Sequence, residues 1–544
     1  MKAEKKKIIY FGLDALIGCL HFIIGRGLEV VKIFTFPDDG YDKTQALTAF
    51  ATQHNIPVSY NRPTLDELQA LSDSGVELMI VAGYPWKIPT VESMRQVNIH
   101  PSLLPVGRGP WPMPVSILNR TDSGVTLHKL SDLLDGGDIL LQQRIPFDPR
   151  DTLVSLTEKI QTLAVALLER FLANSDELWE NALPQPTGEY WPEPDRAQRT
   201  FSLTDSIEKI DRILKAFYGY EALTCIYGIP LKIIEGEIAD RACPGCLCVP
   251  MAKGYLICKK WEYAFRRIRL SDREKMEAVR QAQAPLLSDY TYSLLYCWQQ
   301  ELGLGVYLEE DFFVVKTRNE FFFPMGEMDK ALRFIEGLLK LEGCVRLRFC
   351  DEKMKNAVVK RFGSRAAVVL AQSDCDYLIS HKKIHTLAGK KLSKRRTEYN
   401  GFIKKHTNLC LERINETNIH RVKALAARKS CEYGSAESVG LEHYFQLGLI
   451  GVIVSSNGED IGFAICAKKD AQTLQGHFLK NMCVEHSSMF YLLKLSMDYF
   501  SDQYSFTNIE DDMGIEGLRF FKKSLDPEVI LSYNITVKEA DNRL

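Results

Sequence analysis

Val76-Glu77-Leu78-Met79-Ile80-Val81-Ala82-Gly83-Tyr84 is an apolar run broken by one acid and closed at a glycine, the pattern of a strand buried on both faces of a parallel sheet. Shortly after it comes Asn98-Ile99-His100-Pro101-Ser102-Leu103-Leu104-Pro105. Ligands of open α/β sheets bind beyond the carboxyl ends of the strands, so Asn98 and His100 are expected at the crevice of such a sheet. Upstream, Lys7 to Gly12 reads as a first buried strand, followed by a helix through Ala15 to Ile24. Val30 to Phe36 is a second strand and Lys43 to His54 a helix. This alternation continues to about Leu172 and predicts a parallel sheet covered by helices. No Gly-x-Gly-x-x-Gly follows the first strand, which disfavours a dinucleotide site.

Residues two apart on an extended chain point the same way, so the Asn98 amide and the His100 imidazole can converge on one atom. Held in a dry cleft, two such N–H donors stabilise an oxyanion developing on a carbonyl. A carboxylate from Leu134-Asp135-Gly136-Gly137-Asp138 would orient the imidazole or take part in proton transfer.

The order of four motifs adds to this reading: the Asn98 to Pro105 stretch, Gly107-Arg108-Gly109-Pro110-Trp111-Pro112, Ser123-Gly124-Val125-Thr126-Leu127-His128, and Leu134-Asp135-Gly136-Gly137-Asp138-Ile139-Leu140. Together they resemble the folate-dependent formyltransferase family. The resemblance implies catalytic roles for Asn98, His100 and Asp135 and a formyl donor, 10-formyltetrahydrofolate. It also implies that the pterin is held around Ala82, Gly83, Tyr84, Leu134 and Gly136. The acceptor is a primary amine, whether of an aminoacyl-tRNA, an amino sugar or a carrier-bound amino acid.

The chain has 544 residues, long enough for three to four domains, each able to bury its own core. A formal net charge of -2 excludes bulk attraction to nucleic acid or membrane, so any basic surface must be local. Fourteen scattered cysteines predict reduced thiols and a cytoplasmic protein. Cys243-Pro244-Gly245-Cys246-Leu247-Cys248 has a metal-like spacing but lacks a second pair, so cysteines packed in a β-rich segment are the expectation and no metal is expected. Lys5-Lys6-Lys7 and Leu16-Ile17-Gly18-Cys19 imitate a lipoprotein signal, but Asp14 interrupts the apolar run. No membrane insertion is expected.

Pro184 to Pro194 is a proline-rich linker or strap, after which Asp205 to Phe217 has helical spacing and Ile233 to Arg267 strand character. This stretch resembles the carboxyl-terminal domain of several formyltransferases. From about Ala282 the resemblance changes. Pro285-Leu286-Leu287-Ser288-Asp289-Tyr290-Thr291, Trp298, Phe321-Phe322-Phe323-Pro324-Met325-Gly326 and Ile509-Glu510-Asp511-Asp512-Met513-Gly514-Ile515-Glu516-Gly517-Leu518-Arg519 are similar to the phosphatidylglycerol lysyltransferase carboxyl-terminal-like family. That resemblance implies a tandem pair of acetyltransferase-like units and an aminoacyl-tRNA donor. Between His381 and His406 lie nine Lys/Arg and one acid, Glu398. Lys390, Lys391, Lys394, Arg395 and Arg396 are therefore candidate contacts to tRNA or another polyanion. Asp511, Asp512 and Glu516 read as the acidic start of a helix whose later residues are Arg519, Lys522 and Lys523.

The sequence thus predicts an α/β multidomain protein. A Rossmann-like parallel-sheet formyltransferase domain (1–183) is followed by a small β-rich domain (184–272) and tandem acetyltransferase-like α/β units (273–368 and 369–544). The functional expectation is formyl transfer to an amine, joined to an acyl- or aminoacyltransferase half. The alternative is a folate-binding regulatory module fused to a tRNA- or carrier-docking module without turnover.

Overall fold

Seven strands form the first sheet of the computed structural model, which describes residues 6–37, 43–406, 408–428, 435–482 and 488–539; Lys5 lies outside them. The strands are β1 (Lys7–Gly12), β2 (Glu29–Phe34), β3 (Val58–Ser59), β4 (Val76–Ala82), β5 (Arg95–His100), β7 (Ser123–Lys129) and β8 (Ile139–Ile145), with β6 (Val106–Arg108) lying outside the sheet between β5 and β7. Their spatial order is β3-β2-β1-β4-β5-β7-β8. Strands β3 to β5 pair in parallel, while β7 and β8 add antiparallel strands at one edge. The expected parallel core is present. Its continuous apolar strands are buried, with Ile8, Ile9, Phe11, Met79, Ile80 and Val97 wholly enclosed.

Helices cover this sheet because their apolar residues recur at helical spacing. In the helix Leu153–Ala173, Leu156, Ile160, Ala164, Leu167, Leu168 and Phe171 are buried, and Thr152 and Ser155 form a reciprocal cap at its start. Burying each of its leucines, its isoleucine or its phenylalanine contributes about 1.5–3 kcal/mol. The Pro184 to Pro194 stretch packs as a strap: β9 (Glu189–Tyr190) pairs in parallel with β6, and Trp191 is buried. A four-stranded antiparallel sheet then follows, built from Ala222–Ile226, Ile229–Ala239, Tyr255–Tyr263 and Leu247–Pro250. Cys248 and Cys258 lie on two of these strands, and the sulfurs of Cys243 and Cys246 stand 3.7 Å apart without a bridge. Among the described residues no cluster of His, Cys, Asp or Glu is arranged to hold a metal.

The chain divides into two units, one of Met1–Ile226 with Pro230–Tyr263, the other of Tyr227–Ile229 with Ala264–Leu544. The divide falls ahead of the expected 272/273 because Arg266 already bridges to Val306 and chelates Asp272. The second unit holds two mixed sheets of six and seven strands. One expected boundary needs correction. Tyr533–Lys538, assigned by sequence to the last unit, returns to the six-stranded sheet between Cys344–Cys350 and Ala366–Leu370. There its alternate residues Ile535 and Val537 become buried, a pairing that local sequence does not reveal. No helix among the described residues is long and apolar enough to cross a membrane.

Candidate active site at the carboxyl edge of the first sheet

The register of the sheet assembles the site. Ala82 at the end of β4 lies level with Ile99 of β5, so Gly83 and Tyr84 continue from the sheet beside His100. Across the other edge of β5, Asn98 lies opposite His128 and His100 opposite Thr126. The loop bearing Asp135 closes over this edge with Asp135 in the left-handed region at φ 49°. Gly137 lets the loop turn there, since a Cβ at that position would collide with the Lys129 carbonyl. Gln185 of the strap donates to the Asp135 carbonyl at 3.1 Å and to the Gly137 carbonyl at 2.5 Å. Arg108 in turn donates to Gln185 and to the Pro186 carbonyl. The strap therefore fixes the loop that carries the carboxylate.

Asn98 and His100 do converge, and the atom they meet is an oxygen of Asp135. Asn98 Nδ2 donates to Asp135 Oδ1 at 3.1 Å, and His100 Nδ1 lies 3.6 Å from the same oxygen. The other oxygen accepts the Gly109 N–H at 2.9 Å. His100 Nε2 donates to the Gly107 carbonyl at 2.8 Å. In a neutral ring this leaves a lone pair on Nδ1, 3.6 Å from the Asp135 carboxylate and beyond hydrogen-bond distance. His100 and Asp135 are buried, and Asn98 is partly open.

Sequence reasoning gave His128 no role of its own, although it falls in a quoted motif. Its Nδ1 donates to the Lys129 carbonyl, which leaves Nε2 bare to accept from Asn98 Nδ2 at 3.1 Å. His128 thus sets the orientation of the Asn98 amide. Burial, reinforced by His100, pulls the His128 pKa from its ordinary 6.5 down to about 4, against a raising effect of Asp135. The unfolded chain then binds a proton that the folded chain refuses. Stability is complete above pH 6.5 and falls as pH drops from 6.5 towards 4. Denaturation midpoints at pH 7 and pH 4.5 should differ less in His128→Gln than in the parent chain; an equal difference would remove His128 as the source.

Of the residues expected around the pterin, Ala82, Gly83 and Tyr84 sit at the sheet edge, and Leu134 and Gly136 belong to the Asp135 loop. Leu134 is 45% exposed, and the buried Tyr84 hydroxyl lacks a hydrogen-bond partner. The Tyr84 ring packs edge-on against Phe11 and Trp86.

In the second unit a cavity of about 620 Å³ is lined by residues that include His477, Glu510, Asp511, Lys522, Lys394 and Arg395. Burial, with Asp376 adding to it, pushes Asp511 up to about 7, while Lys522 opposes the shift. Asp512 is fully buried and pairs with Arg519, and it also accepts the Tyr377 hydroxyl. Glu516 opens the helix Glu516–Lys523, as the charge order predicts. The acidic triplet therefore splits: one residue is a buried ion-pair partner, one lines a cavity and one starts a helix.

The basic stretch is two helices, His381–Thr386 and Ser393–Lys405, broken at Leu387 in the left-handed region. Several of its cations are held by the fold. Lys391 pairs with Asp526, Arg395 with Glu398 and Ser524, and Arg396 donates to the Leu387 carbonyl. Lys390 and Lys394 lie exposed.

An amide and an imidazole gathered on a carboxylate at the crevice of a parallel sheet belong here to a protein of the Rossmann-like α/β class. The family model for formyl transferase matches residues 26–172, and that for phosphatidylglycerol lysyltransferase, C-terminal, matches residues 282–536. A methionyl-tRNA formyltransferase of Anaplasma marginale is 30% identical over 43% of this chain and 82% of its own length. That of Coprothermobacter proteolyticus is 38% identical over 26% of this chain, and the match spans 47% of that relative. A solved structure of a conserved protein of unknown function from Bacteroides thetaiotaomicron is 22% identical with a TM-score of 0.44, covering 51% of this chain and 99% of the other. The chain belongs to the formyl transferase family through its first half.

Proposed function

We propose that the first half transfers a formyl group from 10-formyltetrahydrofolate to a primary amine. The observation that carries this reading is the meeting of Asn98 and His100 on Asp135 Oδ1 at the sheet edge. Both N–H bonds of the Asn98 amide are used in the fold, one towards His128 and one towards Asp135. Substrate entry exchanges one of them for the formyl oxygen. As the amine attacks the formyl carbon, Asn98 Nδ2 donates to the oxyanion, joined by His100 Nδ1 once that atom carries a proton; when the tetrahedral intermediate collapses, the bond between the formyl carbon and the folate nitrogen breaks. Asp135, with His100, takes the proton leaving the amine and returns one to the folate nitrogen.

The relatives' name makes the α-amine of an aminoacyl-tRNA one candidate acceptor; an amino sugar and a carrier-bound aminoacyl thioester present the same group. The second half is proposed to transfer acyl or aminoacyl groups, with the 390–396 stretch docking tRNA or another polyanion through Lys390 and Lys394. Fusion raises the concentration of one half's product near the other.

The experiment is incubation of the full chain with 10-formyltetrahydrofolate labelled in the formyl group and a panel of these amines. The expected result is labelled formamide on one of them. Folate binding with no formyl product from any would replace the enzyme by a folate-binding module.

A further inference from the structure

Ser293, His477 and Glu510 come from three separated segments of the second unit and form one hydrogen-bonded line. Ser293 is the second residue of the helix Tyr292–Leu302, His477 lies within the strand Thr473–Asn481, and Glu510 follows the strand Phe506–Asn508. Ser293 Oγ stands 2.7 Å from His477 Nε2, and His477 Nδ1 stands 2.8 Å from Glu510 Oε1. A carboxylate only accepts, so the imidazole hydrogen belongs on Nδ1. Nε2 is left bare and accepts the Ser293 O–H. The polarity runs from hydroxyl to imidazole to carboxylate.

Three further observations support more than a structural role. Glu510 is pinned: the same Oε1 accepts from Gln475 Nε2 at 2.7 Å, and the Glu510 N–H donates to Asn508 Oδ1. Its backbone is left-handed at φ 59°, a conformation that a glutamate adopts only when its surroundings impose it. The line also reaches open space at both ends. Ser293 borders a cavity of about 670 Å³ with Glu277, Tyr292 and Gly448, while His477 and Glu510 border the cavity of about 620 Å³. Finally, the N–H groups of Ser293 and Leu294 belong to the first helical turn, where no intrahelical carbonyl precedes them. The Tyr292 N–H of the same turn is already taken by Glu277 Oε1 at 2.8 Å, so an oxyanion beside the serine would rest on the Ser293 and Leu294 N–H groups alone.

We propose that Ser293 is the nucleophile of an acyl-transfer site, with His477 as its base and Glu510 as the positioning residue, acting on an ester or thioester. Ser293 Oγ bonds to the carbonyl carbon as its proton passes to His477 Nε2. The carbon–oxygen or carbon–sulfur bond then breaks, and the departing alcohol or thiol takes that proton. A primary amine or water attacks the acyl-serine, gives its proton to Nε2, and the proton returns to Ser293 Oγ as the acyl group leaves. This deepens the acyl-transfer reading of the second half and rests on it, but shares no residue with the formyl site.

The test uses a fluorophosphonate on the full chain, followed by peptide mapping, and p-nitrophenyl acetate as a model ester. Ser293 in the parent chain is expected to carry the adduct, a result that needs no variant to fold. Labelling vanishes in Ser293→Ala and slows by about a hundred- to ten-thousandfold in His477→Ala. In Glu510→Gln the rate falls, because the imidazole loses the carboxylate that accepts its Nδ1–H, and Glu510→Asp, which keeps a carboxylate, retains more of the rate than Glu510→Gln. A parent chain unlabelled at Ser293, or a Glu510→Asp variant no faster than Glu510→Gln, would overturn the proposal. Formyl transfer by the first half is read separately with labelled folate, so failure here leaves that reading standing.

Discussion

Replacing His100 with Ala lowers formyl transfer about a hundred- to thousandfold while the chain stays folded. Loss of one donor to a developing oxyanion typically costs about 2.7–4 kcal/mol of barrier. The fold loses less, because His100 makes one hydrogen bond to a carbonyl and otherwise faces Asp135. Asp135→Asn should be as severe for turnover. The asparagine oxygen can still accept the Gly109 N–H, so the loop keeps an anchor, but the amide cannot take a proton from the amine. Labelled-folate turnover on the identified acceptor, measured beside a thermal melt, reads both effects. Parent-level turnover in either variant would remove these residues from the chemistry.

Replacing Glu437 with Ala destabilises the second unit by about 3–5 kcal/mol, the cost of leaving a buried charge without its partner. Lys480 Nζ reaches both Glu437 oxygens, at 2.9 and 3.1 Å, and the Ala426 carbonyl at 3.0 Å. The side chains are 10% and 7% exposed, so water cannot take over the ammonium. Replacing both residues with apolar side chains of similar volume, Glu437→Leu with Lys480→Met, should recover most of the loss. Urea denaturation of the full chain, followed by far-ultraviolet circular dichroism, reads the difference. A single variant as stable as the parent would show that the pair is hydrated in solution.

Local sequence was sufficient for what depends on near neighbours. The apolar run Val76 to Ala82 specified a buried strand, and the period of an extended chain put Asn98 and His100 on one side of β5. The glycines after Asp135 allow a close backbone approach, which Gly137 makes against the Lys129 carbonyl, whereas the left-handed conformation of Asp135 itself is seen only in the structure. The order of motifs around these residues carried the family.

Contacts between distant segments were decided only by the tertiary structure. His128 lies opposite Asn98 because β7 runs antiparallel to β5, and that pairing converts a motif histidine into the partner that aims the amide. The oxygen at the meeting point of Asn98 and His100 belongs to a side chain 37 residues beyond Asn98. Gln185 became a support of the Asp135 loop only when the proline-rich strap folded back beside β6. Ser293 and His477 are 184 residues apart, and no periodicity or spacing joins them. The final strand was misassigned for the same reason: strand pairing is settled by which edge its buried face can fill, a choice made by the assembled sheet. Sequence patterns fix which residues turn inward along one element, whereas a reactive arrangement requires side chains from several elements at one point, and only their packing sets those distances.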